Sequence, residues 1–194
     1  MRIVLTLTIM MALAGSVGAT DQPYYWGPSG QVPLKIDSTR VLVKLDHRMP
    51  SPQMSDVIAA IPELIDTVFE VRKQGGFVVC AVTDSSDYDD LLVTLRSRND
   101  VYLAEPYYLN MSDSAMILGD ALTVAFDSSM TPGEVEAFAD AHNIAVDRTL
   151  LGMENVYVLR NTDSSGYGLL DLANSLYTST ETRWSHPDFC CRIV

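Results

Sequence analysis

Apolar and polar residues along this chain follow two periods, that of a half-buried strand and that of an amphipathic helix. Residues 121–126 alternate as a strand does. The segment Thr131-Pro-Gly-Glu134 then supplies an N-cap, a proline in the first turn and a glutamate three residues after the cap. This capping box predicts a helix over residues 131–142. Val135, Phe138 and Ala139 form its apolar face.

The remaining segments of this half predict two hairpin strands, a second helix and a final strand. The strands are predicted at residues 144–151, 155–160 and 180–184. The second helix is predicted at 169–177, with Leu169, Leu172, Ala173 and Leu176 facing inward. The order of the elements is therefore β-α-β-β-α-β.

The first half repeats this order 81 positions earlier, the separation of Pro106 and Pro187. The segment Val101-Tyr-Leu-Ala-Glu-Pro-Tyr-Tyr108 recurs as Thr182-Arg-Trp-Ser-His-Pro-Asp-Phe189. Its predicted strands cover residues 40–45, 64–71, 77–82 and 101–104, and its predicted helices cover 54–60 and 87–97. Because one offset holds from the first strand to this closing motif, each copy is predicted to be a whole small domain.

This element order predicts an α+β fold of two tandem ferredoxin-like β-α-β-β-α-β sandwiches. Each would be a four-stranded antiparallel sheet with two helices on one face, joined by right-handed crossovers. The opposite sheet face would be uncovered, and so open to a partner. The predicted segments are a leading hairpin and extension at 20–39, a first domain at 40–109, a linker at 110–120, a second domain at 121–189 and a tail at 190–194.

The first 19 residues have the features of a secretory signal peptide. Arg2 precedes an apolar run over residues 3–13, and Val17-Gly-Ala19 ends the segment with small residues. A membrane anchor is the alternative, but this run is shorter than the ~20 residues that span a bilayer. The sequence therefore predicts a secreted or periplasmic protein that does not associate with the membrane after the signal is cleaved.

The charge of the chain is strongly acidic, with 13 Lys and Arg against 25 Asp and Glu and a net charge of −12. Nucleic-acid affinity comes mainly from clustered cations that neutralise phosphates, so nucleic acid is an unexpected partner. The cysteines, Cys80, Cys190 and Cys191, are odd in number and do not predict a disulfide framework. A bridge between molecules through the terminal pair stays open.

Candidate catalytic or metal-binding groups do not cluster in the sequence. His47, His142 and His186 each stand alone, without the spacing of a metal site. No nucleophile elbow, phosphate-binding loop or dinucleotide fingerprint occurs. We therefore expect a protein that is not an enzyme and that has no cofactor or metal.

The repeated closing motif, preceded each time by β-α-β-β-α, resembles the propeptides of bacterial subtilisin-like serine proteases of the tandem, fervidolysin-like type. The resemblance implies that an open sheet face lies on a protease and that the C-terminal tail enters its substrate cleft. It also implies that an acidic residue between the second and third strands caps protease helices, a position held by Glu154 in the second copy. The first copy has Arg72 and Lys73 there, the wrong sign, and Glu154 as an ordinary turn carboxylate is the alternative. The implied protease-binding residues are Glu154, Phe189, Cys190, Cys191, Arg192, Ile193 and Val194.

The function that this resemblance implies is binding, inhibition or assisted folding of a secreted subtilisin-like serine protease by a non-catalytic module. The catalytic Asp, His-Gly and Gly-Thr-Ser segments do not follow Phe189, so the module would act in trans or be the front end of a truncated precursor. The alternative is an envelope protein–protein interaction module unrelated to proteolysis. A third reading is a small-molecule sensor of the tandem regulatory kind.

Overall fold

The computed structural model describes residues 22–46, 49–71, 76–83, 87–161 and 168–190. The predicted signal peptide lies outside them. The described chain is a mixed α/β structure with four helices and antiparallel sheets. Its strands are β1 (Tyr24–Gly27), β2 (Gly30–Pro33), β3 (Lys35–Lys44), β4 (Leu64–Val71), β5 (Phe77–Val82), β6 (Leu103–Leu109), β7 (Ala115–Phe126), β8 (Ile144–Thr149), β9 (Val156–Asn161) and β10 (Thr182–Cys190). Its helices are α1 (Ser51–Ala59), α2 (Tyr88–Arg96), α3 (Pro132–Ala141) and α4 (Leu169–Tyr177).

Strands from both halves of the chain join in one eight-stranded sheet in the order β4-β5-β3-β6-β7-β9-β8, with β10 paired to β7. The first half runs β3-α1-β4-β5-α2-β6 and the second runs β7-α3-β8-β9-α4-β10. In each half the first strand lies between the third and the fourth. Helices α2 and α4 have bounds that differ by the 81-residue offset of the sequence repeat.

The segment predicted as a linker, residues 110–120, is instead a tight turn followed by the first half of β7. The side-chain oxygen of Asn110 accepts hydrogen bonds from the backbone N–H groups of Ser112 and Ser114, both at 2.9 Å. Tyr108 and Leu109 pair with the first residues of β7. The two halves are therefore joined by a hairpin.

Strands β6 and β10 are longer than predicted, and each contains the proline of the repeated motif. Pro106 pairs with Val41 of β3, and Pro187 pairs with Leu122 of β7. Proline is tolerated in a strand where one side has no hydrogen-bonded neighbour. Among the described residues β6 has only β3 beside Pro106, and β10 has only β7.

The core consists of clusters on both faces of the sheet. One cluster packs β3 and β5 against α1 and α2, and another packs β7 and β9 against α3 and α4. A third lies on the other face of the first half, where Leu42, Phe77, Val79 and Tyr107 pack with Ile117 of β7 and are at most 3% exposed. The prediction of an uncovered sheet face does not hold for these residues.

The predicted leading hairpin is present as β1 paired with β2. It contacts α4 and β10 of the second half. The Trp26 ring stacks on Tyr177 at 4.7 Å between ring centroids, and the Asn174 side chain donates to the Tyr24 carbonyl at 2.8 Å. The hairpin therefore straps the N-terminal segment onto the second half.

Candidate functional site

The loop between β8 and β9, residues 150–155, presents apolar side chains to solvent. We call it the β8–β9 tip. Leu151 is 98% exposed and Met153 is 58% exposed. Single exposed apolar residues are common on protein surfaces. Here two exposed apolar residues lie in one loop, and the exposed Glu154 follows them directly. Because binding residues often lie on loops, the β8–β9 tip is a candidate binding surface.

The backbone of the β8–β9 tip has a defined conformation. The Leu150 N–H donates to the Val156 carbonyl at 2.8 Å, and the Met153 N–H donates to the Leu150 carbonyl at 3.2 Å. Gly152 and Asn155 have φ values of +80° and +52°, in the left-handed region that these residue types tolerate. The turn therefore gives the backbone that carries these side chains one defined path.

Two side chains, Asn155 within the tip and Arg183 outside it, hold the tip against the rest of the second half. The Asn155 amide donates to the carbonyls of Asp127 and Met130 at 2.9 and 3.0 Å. Arg183 of β10 donates to the carbonyls of Phe126 and Glu154 at 2.8 and 3.0 Å. Because these bonds reach the β7–α3 loop and β10, the tip is positioned before any partner binds, which lowers the entropy lost on binding.

The chemistry of the β8–β9 tip is that of an apolar anchor with an adjacent anion. Leu151 can fill a small apolar pocket, and Met153 adapts to irregular surfaces. Glu154 can accept from a cation or from backbone N–H groups beside that pocket. This arrangement is suited to binding, and residues 150–155 include no nucleophile or proton-transfer pair.

The predicted tail residues that are described belong to the fold. Phe189 and Cys190 pair with Leu118 and Ile117 in the β10–β7 ladder. The Phe189 ring packs edge-on against Tyr25 at 5.0 Å between centroids. Phe189 is therefore engaged within the protein, and is not part of a free tail. Residues 191–194 and the first-copy loop at 72–75 lie outside the described residues.

The described histidines have structural contacts. His186 packs against the Tyr25 ring at 5.3 Å and His142 against Phe138 at 4.4 Å, while His47 lies outside the described residues. Within the described ranges no three His, Cys, Asp or Glu side chains are grouped to hold a metal ion. No helix in that part of the chain has the length and apolar character needed to cross a bilayer.

Sequence reasoning identified Glu154 but missed Leu151 and Met153. The predicted strands place the turn at residues 152–155, where Gly152 and Asn155 have left-handed φ. The first of these strands is predicted to reach Leu151, whereas β8 ends at Thr149, so Leu151 is exposed in the loop instead of paired in a strand.

The chain matches no protein-family model and no curated protein. It is similar to a solved structure described as an Sxl-lethal protein/RNA complex, with 12% sequence identity and a TM-score of 0.31. The similarity covers 78% of this chain and 99% of the other. A likeness of this strength carries no argument about what this chain binds.

The predicted partners differ from what that structure is described as containing. A subtilisin-like protease was predicted and nucleic acid was excluded, whereas the similar structure is described as an RNA complex. The exclusion used the net charge of the whole chain, −12, but RNA is also recognised by shape and by stacking on aromatic side chains. Neither the protease nor the exclusion of nucleic acid is part of the function proposed below.

Proposed function

We propose that the chain is an exported, non-catalytic protein-binding module that docks on a partner protein through the β8–β9 tip. The observation that carries this proposal is the exposure of Leu151, 98%, on a turn whose backbone is anchored from both sides. An apolar side chain that fills a desolvated pocket on a partner can supply a large share of the binding energy of an interface.

The scaffold in this proposal is a pair of ferredoxin-like sandwiches that share one sheet. The support is the strand order within each half, β6-β3-β5-β4 and β10-β7-β9-β8, together with the β-α-β-β-α-β connectivity. The β8–β9 tip is the hairpin loop between the second and third strands of the second sandwich.

The side chains of the tip favour a protein over other partners. Leu151 and Met153 offer apolar surface, and Glu154 offers a carboxylate beside it. The matching surface is an apolar pocket with a cation or free N–H groups at its rim. Two apolar side chains also give little area for holding a membrane surface.

The test is site-specific photocrosslinking in the organism that encodes the chain. A photoreactive phenylalanine analogue replaces Leu151 in one variant, and replaces Val93 of α2, which is 65% exposed, in the control. We expect a discrete protein adduct from position 151 and not from position 93. An identical adduct pattern at the two positions, or an adduct to RNA at position 151, would overturn the proposal.

Affinity for the captured protein, once purified, gives the quantitative check. We expect Leu151→Ala to weaken binding roughly 30-fold, the equivalent of about 2 kcal/mol for a buried anchor residue. Glu154→Gln tests the carboxylate separately, and its effect should shrink as salt concentration rises. Unchanged affinity in Leu151→Ala would show that the partner contacts another surface.

A further inference from the structure

A buried carboxylate joins the two halves of the chain. Glu105 of β6 is 1% exposed. Its Oε1 accepts a hydrogen bond at 3.0 Å from the backbone N–H of Leu169, the first residue of α4. A side chain of the first half therefore caps a helix of the second half, whose own N-cap position, Gly168, has no side chain for that purpose.

The second oxygen of Glu105 contacts a cation from the first half. Arg96, at the end of α2, lies with Nη2 3.4 Å from Oε2 and donates through Nε to the Ala104 carbonyl at 2.9 Å. The three elements that meet here, α2, β6 and α4, are thus connected through one carboxylate. Neutralising the carboxylate changes the electrostatics of both of its contacts, with the Leu169 N–H and with Arg96.

Other ionisable groups also face Glu105. Asp171 in the first turn of α4 and the phenols of Tyr88 and Tyr108 interact with it electrostatically. Leu42 of β3 pairs directly with Glu105, and the cations two residues to either side on β3 are engaged elsewhere. Arg40 lies over the Tyr107 ring, and Lys44 pairs with Asp120.

We propose that Glu105 is a proton-controlled latch between the halves, which holds α4 against β6 when protonated and loosens that joint when ionised. At a position that is 1% exposed, a neutral carboxyl group costs less to bury than an ionised one. An ionised one gains a stronger helix cap and a charged pair with Arg96, but its desolvation exceeds these gains. This latch is independent of the function proposed for the tip.

The direction of the pH effect follows from the carboxyl group itself. Burial raises the pKa of Glu105 to about 7 from its ordinary 4.5, against the opposing effects of Arg96 and the Leu169 N–H. A group with a raised folded pKa stabilises the closed joint fully below the unfolded pKa. That stabilisation is lost as the pH rises from 4.5 through about 7.

Hydrogen exchange at the Leu169 amide measures opening of the joint in the full chain. After correction for intrinsic exchange, we expect its protection factor to fall by roughly two orders of magnitude between about pH 5 and pH 8.5, as the shift in pKa requires. In Glu105→Gln, which keeps the shape and stays neutral, the protection factor should not change over this range. An equal fall in both proteins would overturn the proposal.

A matched control lies in the second half, and a second measurement needs no variant. The Glu134 side chain at the start of α3 is exposed and accepts a hydrogen bond from the Thr131 N–H at 2.8 Å. This bond lowers the pKa of Glu134. The α3 cap should therefore lose stability only under acid conditions. The protection factor of the Val135 amide should stay constant from about pH 5 to pH 8.5. Carbon-detected titration of the Glu105 carboxyl should give a midpoint of about 7. A midpoint at the ordinary value would overturn the latch even if Glu105→Gln failed to fold.

Discussion

Asn155 offers a substitution series that separates hydrogen bonding from backbone strain at the base of the tip. The residue has a φ of +52°, and its amide bridges the carbonyls of Asp127 and Met130. Alanine removes both hydrogen bonds and keeps a Cβ in the left-handed conformation without the polar side chain that lets asparagine tolerate it. Glycine removes the same bonds but carries no Cβ.

The expected sizes follow from these contacts. Two hydrogen bonds contribute about 1 kcal/mol each to the free energy of unfolding. A left-handed alanine costs roughly 1 kcal/mol more. We therefore expect Asn155→Ala to destabilise the protein by about 3 kcal/mol and Asn155→Gly by about 2 kcal/mol.

Urea unfolding monitored by tryptophan fluorescence measures both variants. The comparison is valid if the dependence of the unfolding free energy on urea is the same in all three proteins. The critical quantity is the difference between Ala and Gly, because both lose the same side-chain bonds. If the two variants were equally stable, left-handed strain would not act at Asn155. If neither differed from the wild type, the amide would not hold the tip.

Two further predictions concern packing. Leu122 is fully buried and Leu151 is 98% exposed. In the same unfolding assay, Leu122→Ala should lower the free energy of unfolding by about 2–5 kcal/mol and Leu151→Ala should change it by no more than about 0.5 kcal/mol. Similar losses in the two variants would contradict the burial described. Trp26→Ala removes the ring stack on Tyr177 and should speed limited proteolysis within the leading hairpin. Trp26→Phe keeps an aromatic ring and removes a buried N–H that has no hydrogen-bond partner among the described residues, so it should not speed cleavage. Equal cleavage rates in the two variants would show that the ring stack does not hold the hairpin.

Elements with a strong local signal were predicted close to their observed bounds. The helix predicted at 169–177 is α4, and the capping box predicted at Thr131 and Glu134 is present. These features depend on residues within one or two turns, which a sequence shows directly. The strand predicted at 77–82 is β5 for the same reason, because its apolar run is continuous.

The ends of β6 and β10 depended on information that local patterns do not contain. The predicted strands end before Pro106 and Pro187, because proline is rare inside a strand. Whether a strand continues through a proline depends on which strands lie beside it. Those neighbours come from β3 and β7, more than 60 residues away in each case. The contact between Glu105 and the first turn of α4 has the same origin, since it joins residues 64 positions apart.

The two proposals share a structural element, and this makes their coupling measurable. Glu105 caps α4, the Thr182 hydroxyl at the start of β10 donates to the Leu176 carbonyl near the end of α4, and Arg183 then holds the tip through the Glu154 carbonyl. A continuous set of contacts does not by itself establish energetic coupling. A double-mutant cycle with Glu105→Gln and Arg183→Gln, read as affinity for the crosslinked protein above and below neutral pH, measures it directly. An interaction free energy that changes with pH would mean that the latch controls the tip, and one that is zero at both would mean that the second half keeps its binding surface whatever the state of the joint.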